Sequence, residues 1–210
     1  MSILFTIFKY LIFSLLLIAI SCSSNSSNKK QQESEERSVE EIYNSAMDYI
    51  NDNKYSKAHD EFIEVERLHP YSIWATRSQI MTSYVNYKLN KYDDSVSGAK
   101  RYIELHPGAS DIDYAYYLIA LNYYEQINDY RRDQSFTRNA LEAFNNLIRR
   151  FPNSDYSKDA KLKLDLVNDH LAAKEMDIGR TYQNLDNYIS AINRFKTVVE
   201  LYSKTSHVPE

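Results

Sequence analysis

The chain has 210 residues, 43% of them hydrophobic, with three glycines, four prolines and a formal net charge of −4. So little glycine and proline excludes a turn-rich all-β protein and favours helix, and the acidic balance argues against a nucleic-acid binder, which carries a basic surface. Cys22 is the single cysteine, so no intrachain disulfide framework can form; tyrosine is in excess, 19 residues against one tryptophan.

The first segment, "MSILFTIFKYLIFSLLLIAISC", places Lys9 before an uncharged apolar run, Leu11 to Ile20, and then Ser21 and Cys22. A charged start, a short apolar core and a small residue at the cut describe an export signal over 1–21. The alternative is an uncleaved anchor, but Lys9 leaves the run well short of the roughly 20 residues that span a bilayer. With the only cysteine at the cut, the segment resembles a bacterial lipoprotein signal, which implies lipidation of Cys22; an ordinary signal with an incidental cysteine is the other reading. Ala19 stands where such signals usually carry leucine. Residues 22–38, beginning "CSSNSSNKKQQESEER", are polar enough to form a lipidated flexible tether.

From residue 39 onward one cadence repeats. "FIEVERLHPYS" (62–72), "YIELHPGAS" (102–110) and "NLIRRFPNS" (146–154) each end an amphipathic run at a proline, and "VVELYSKTS" (198–206) repeats it with Ser203 in the proline's place. The prolines stand 37 and then 45 residues apart (70 to 107 to 152), periods of stacked helical repeats. Before Pro70 stand Ala58, Phe62 and Val65; before Pro152, Ala140, Phe144 and Leu147; before Ser203, Ala191, Phe195 and Val198. The second copy is looser, with Ser95, Ala99 and Tyr102. Offsets of four and three put each set on one helical face.

An upstream helix precedes each of these, with Ala46 and Tyr49 before "NDNKYSKA" and Gly179 and Tyr182 before "QNLDNYISA". A small residue and a tyrosine, then Ala, Phe and Pro, resemble the tetratricopeptide repeat. The expected fold is therefore an all-α superhelix of stacked hairpins, with N-terminal units over 39–153 (39–72, 73–109, 110–153) and the remainder in 154–210. The third unit carries extra residues, "EQINDYRRDQ" (125–134), and the stretch from Asp155 to Arg180 has room for an additional helix pair bent into one rod.

In such a superhelix the first helix of each unit lines the concave side. Counting from Ala46, Ser83 and Ala120 places Tyr43, Met47, Ile50, Ile80, Tyr84, Tyr87, Tyr114, Tyr117, Leu121 and Tyr124 there. Tyrosine offers apolar area and a hydroxyl at low entropic cost, which suits a groove for an extended, aromatic-rich peptide. The alternative is that these rings only fill gaps between helices. Catalysis has little support. There is no H-E-x-x-H, G-x-S-x-G or phosphate-binding glycine loop, and no cofactor is expected. His69 and His106 sit at equivalent places before the proline, where they favour a helix end. Asp165, Asp169 and His170 do not converge on a metal.

Residues 151–210, with the blocks "FPNSDY", "KLDL", "DHLA", "KEM" and "INRF", together with "HPGASDIDYAYYLIALNYYEQ" and "RRDQ" upstream, resemble the BamD (ComL) family of outer-membrane assembly lipoproteins, in an alphaproteobacterial variant. The resemblance covers nearly all of the chain after the signal. It implies a non-catalytic, lipid-anchored subunit of the β-barrel assembly machinery on the periplasmic face of the outer membrane. Its N-terminal repeats would receive unfolded outer-membrane proteins, and its C-terminal repeats would dock on the periplasmic domains of BamA, beside other subunits of the complex. Carried over, Cys22 is the lipid site, and Lys174, Glu175, Arg180, Asn193 and Arg194 are candidates for the BamA side. For Arg194 a solvated helix charge is the rival reading. Arg132, Asp133 and Gln134 match a block in the inserted loop, with loop ordering or partner contact as their role. The family usually continues past "HVPE" with another helix pair, so the last helix is expected to expose Phe195, Val198 and Val199 unless something covers them. A peptidoglycan-associated or envelope-division repeat lipoprotein is the alternative function.

Overall fold

The computed structural model describes residues 37–208, which contain eight α-helices and no strand. The signal, Cys22 and most of the tether lie outside the described residues. No described helix is long and apolar enough to cross a membrane. The helices are α1 (Val39–Asn51), α2 (Tyr55–Leu68), α3 (Ile73–Lys88), α4 (Tyr92–Leu105), α5 (Ile112–Tyr124), α6 (Ser135–Arg150), α7 (Asp155–Asn184) and α8 (Tyr188–Leu201). Each packs on the next, so they form antiparallel hairpins stacked in chain order, the tetratricopeptide arrangement. The odd-numbered helices also touch one another across a unit, α1 with α3, α3 with α5 and α5 with α7, whereas α2, α4, α6 and α8 do not. Tighter spacing on one side puts the odd helices on the inside of the curve.

Local chemistry sets the ends. Ser38, Ser72 and Ser154 are N-caps whose hydroxyls accept from the backbone N–H of Glu41, Ala75 and Tyr156, satisfying donors that the first turn leaves unpaired. His69, His106 and Phe151 are C-caps one residue before the prolines, which cannot continue the helix.

The turns inside three of the four hairpins, α1–α2, α3–α4 and α7–α8, share a motif not singled out from sequence. Asn53, Asn90 and Asp186 have φ of 58°, 59° and 56°, the left-handed region that asparagine and aspartate tolerate best after glycine. Each side-chain oxygen accepts the hydroxyl of the tyrosine two residues on: Tyr55 at 2.8 Å, Tyr92 at 2.9 Å and Tyr188 at 2.7 Å. Replacing Asn90 by alanine is expected to cost about 1–2 kcal/mol, from the left-handed conformation and the lost acceptor. Glycine should cost less, and a loss as large with glycine in thermal denaturation would refute the conformational account.

The core is the stripe of Ala, Phe and aliphatic residues read from the repeats. Ala58, Phe62 and Val65 are fully buried, as are Ala140, Phe144 and Leu147. In the looser second unit a polar bridge fills part of the space. The Ser95 hydroxyl donates to the Ser83 carbonyl at 2.7 Å, and the Asn122 amide donates to Ser95 Oγ at 2.8 Å and the Leu118 carbonyl at 2.7 Å. Three helices thereby share one buried network.

Two expectations need correction. The stretch after Asp155 holds no extra helix pair: α7 is one helix of 30 residues. Its first half packs Val167 and Leu171 against Phe144 and Leu147, and its second half packs Ala172 and Met176 against Val198. A single rod can serve both neighbours because its buried face runs unbroken. At α8, Val198 is buried and Phe195 half-buried; the exposed apolar residues are Tyr188, Ile189, Ile192, Val199 and Leu201, with Leu185 in the turn before it. Phe195 escapes exposure because it lies on Gly179 of α7.

Candidate peptide-binding groove

The inner helices carry a tyrosine floor. Tyr114 and Tyr117, three residues apart on α5, share a face, and Tyr156 at the start of α7 closes on both. Its ring centroid lies 5.2 Å from that of Tyr114 and 5.0 Å from that of Tyr117, the latter near-parallel at 27°. Behind them Phe144 supports Tyr117 and Tyr124, at 6.4 and 5.9 Å. Tyr84 and Tyr87 of α3 pack against the adjoining core. In the first unit Tyr43 rests on Phe62 and Trp74, at 5.5 and 4.8 Å, and Met47 and Ile50 are half-buried around Ala46 and Phe62.

Most of the residues expected on this face are half-buried: Tyr43, Met47, Ile50, Tyr84, Tyr87, Tyr114, Tyr117, Leu121 and Tyr124. Ile80 is not among them. It is 3% exposed and belongs to the core with Ala99, Tyr102 and Leu118, although it stands at the same repeat position as Tyr43 and Tyr117, three residues before the small residue. Tyr156, Asp159 and Glu125 belong to the site and were missed. Tyr156 stands in a loop-to-helix junction after the third proline, outside the register counted from the small residues. The two carboxylates carry no signal until the units are stacked.

These carboxylates bind the tyrosine hydroxyls. Tyr87 donates to Glu125 Oε1 at 3.0 Å, and Tyr117 donates to Asp159; the partners are 38 and 42 residues apart, about one repeat. Lys163 bridges to Asp159 at 3.3 Å and stands 5.4 Å from the Tyr124 ring centroid. Burial, reinforced by Glu125, lifts the Tyr87 hydroxyl far above the ordinary tyrosine range; burial with Asp159 does the same for Tyr117, and burial alone dominates at Tyr114. Tyr102 of α4, whose hydroxyl donates to Asp111 at 2.6 Å, is lifted by burial and that carboxylate. In each case the folded state holds a proton that the unfolded chain releases near pH 10, the ordinary value for tyrosine. The associated stability is fully present below that pH and is lost as the pH rises above it. Denaturant midpoints should therefore be flat from pH 7 to 9 and fall in stronger alkali. A Tyr114→Phe chain with an unchanged alkaline slope would contradict the assignment.

The second group of candidates lies on α7 and α8. Arg194 is not a solvated charge alone: its Nη1 meets Glu175 Oε2 at 2.9 Å, joining the two helices. Asn193 is exposed beside it, and Arg180 borders a cleft of about 600 Å³ with Met176, Phe195, Val199 and Val208. Lys174 instead turns to the inserted loop, where its Nζ donates to the Arg131 carbonyl at 3.0 Å. In that loop Gln134 is buried, its amide donating to the carbonyls of Asp129, Tyr130 and Arg132 at 3.2–3.3 Å while its oxygen accepts from Thr137 at 2.9 Å. Asp133 caps the start of α6 through the Ser135 N–H at 2.9 Å, and Arg132 is exposed. Asp169 accepts from the Ser206 N–H and hydroxyl at 2.9 and 3.0 Å, pinning the final turn to α7.

Known proteins resemble this chain over most of its length. A family model described as "Outer membrane lipoprotein", YfiO, matches residues 35–210. Outer membrane protein assembly factor BamD of Caulobacter vibrioides is 47% identical over 84% of this chain and 58% of its own length. The protein of the same name from Rickettsia prowazekii is 41% identical over 80% of this chain and 67% of its own. That of Neisseria gonorrhoeae is 33% identical over 84% and 70%. The chain thus spans under three fifths of the Caulobacter relative. With the stacked hairpins and a family match running from the tether through the last turn, the chain belongs to the YfiO family of outer membrane lipoproteins.

Proposed function

We propose that this chain is a non-catalytic, lipid-anchored scaffold of the machinery that folds and inserts β-barrel proteins into the outer membrane. The observation that carries the reading is the set of tyrosines on α3, α5 and the start of α7, packed on a shared core and, at Tyr114, Tyr117 and Tyr156, on one another, in a family whose relatives are named outer membrane protein assembly factors. Rigid rings backed by Phe144 offer a preformed apolar shelf, so an extended segment of an unfolded barrel protein binds without first ordering its host. The α7–α8 surface, with Glu175, Arg180, Asn193 and Arg194 and the apolar residues around Ile192, would face the periplasmic domains of BamA. Lys174 would act less directly, by holding the loop. Cys22 would carry the lipid, keeping the groove at the periplasmic face; its replacement by serine should release the chain into the soluble fraction unless its partners retain it.

Depleting the protein tests the role as a whole: barrel proteins should fall in outer-membrane fractions, and unchanged levels would refute it. At the site, Tyr84→Ala and Tyr117→Ala together should weaken binding of an aromatic β-strand peptide about tenfold or more, since each such ring contributes roughly 1 kcal/mol beyond area burial. Circular dichroism should keep its helical signal. Equal loss of helicity and binding would make the rings core residues only.

A further inference from the structure

The turn between α2 and α3 breaks a rule that the other inner helices keep. α1, α5 and α7 each carry acid in the first turn, Glu40 and Glu41, Asp113 and Asp155, which the positive end of a helix dipole favours. α3 carries none. Ile73 stands at its first position, where α7 has Asp155, and is 65% exposed. Tyr71, the residue after Pro70, stands where Gly108 and Asn153 follow the later prolines, and it is fully exposed. The turn itself is fixed. The Ser72 hydroxyl donates to the His69 carbonyl at 2.8 Å and accepts from the Ala75 N–H at 3.0 Å. Tyr71 and Ile73 thus project from a capped turn, beside Trp74, which is half-buried on Tyr43.

An acid missing from this one helix start is what burial against an apolar phase requires, because a carboxylate there would have to give up its water. The turn also lies where the tether joins the fold. Val39, the first residue of α1, packs in one cluster with Leu68 and Trp74, which flank the turn, and the chain from Cys22 to Ser38 spans at most about 55 Å when fully extended. Resting on the lipid proposed above for Cys22, we propose that the turn 70–74 is a second membrane contact. Tyr71 and Ile73 enter the headgroup region of the bilayer that holds the lipid, with Trp74 at its edge; tyrosine and tryptophan favour that interface. The lipid supplies attachment and the turn supplies orientation, bringing the Tyr43 end of the groove to the membrane surface. The contact is apolar, so salt does not weaken it.

The test uses the full chain as the cell makes it, in phosphatidylcholine vesicles whose acyl chains carry bromine, a contact quencher of tryptophan. Trp74 is the only tryptophan, so its emission reports this turn. Emission should fall by about a third or more against unbrominated vesicles, as for a ring at the acyl boundary, and salt should not change the loss. Tyr71→Ser with Ile73→Ser should restore the emission while the chain still floats with the vesicles. Ile73→Asp should restore it too and, by supplying the missing first-turn acid, leave thermal stability equal or higher, which a merely structural isoleucine would not allow. An unaltered chain that floats without quenching, or quenching that persists in the double-serine chain, overturns the contact while the anchor stands. A discrete protein adduct in cells, at a photo-crosslinking phenylalanine analogue in place of Tyr71, overturns it as well and gives the turn to a protein partner. If the unaltered chain floats and the double-serine chain does not, the contact stands and the lipid at Cys22 fails; if neither floats, both fail.

Discussion

Phe144→Ala is expected to lower the unfolding free energy by about 3–5 kcal/mol, as truncation of a buried aromatic does elsewhere. Phe144 has no exposed surface and belongs to the cluster formed by Ala120 of α5, Ala140 and Leu147 of α6, and Ala160 and Val167 of α7. It is therefore the joint between the third hairpin and α7, and in a stack where each unit holds only its neighbours, no distant contact compensates. The same ring backs Tyr117 and Tyr124, so the cavity will also loosen the groove floor. Urea denaturation and peptide affinity should both report the change. Phe144→Leu, which keeps most of the volume, should cost far less in each. A loss under about 1 kcal/mol for the alanine variant would mean that the units are not held by the shared interior described here.

Gly179→Ala should be the second most damaging change, although alanine is the better helix former by about 1 kcal/mol. A Cβ at 179 would stand 2.4 Å from Phe195 Cε1 and 2.7 Å from Cδ1, distances at which the ring must move. Phe195 packs in the cluster of Ala172, Met176 and Val198, so its displacement shifts α8 and with it the bond between Arg194 and Glu175. Overpacking of this kind costs about 1–3 kcal/mol, which outweighs the propensity gain. Combining Gly179→Ala with Phe195→Leu should recover much of the loss, a coupling that a double-mutant cycle measures directly. A Gly179→Ala chain as stable as the original would show that α7 and α8 are not in close approach at this point.

Gly179 was legible in advance because the repeat pattern itself demands a small residue opposite an aromatic. The same holds for Ala58 and Phe62, for Ala140 and Phe144, and for the histidines and Phe151 before the prolines. All of these express a spacing within one helix or one turn, and such spacings are written in the local sequence. The Asn/Asp-x-Tyr turns are equally local and could have been found by aligning 53–55, 90–92 and 186–188.

The sequence by itself thus determined the class of element, its ends, its repeat and the main stripe each helix buries within its own hairpin, because dihedral preference and hydrophobic periodicity act over a few residues. Only the tertiary structure decided which residues from different units meet. Tyr87 finds Glu125, Tyr117 finds Asp159 and Tyr156 covers Tyr114, each across about one repeat. Ile80 turns inward for the same reason that Phe195 is sheltered: the angle at which successive hairpins stack sets which side of a helix is left open. That angle is the sum of many side-chain contacts between helices, and no single stretch of chain encodes it.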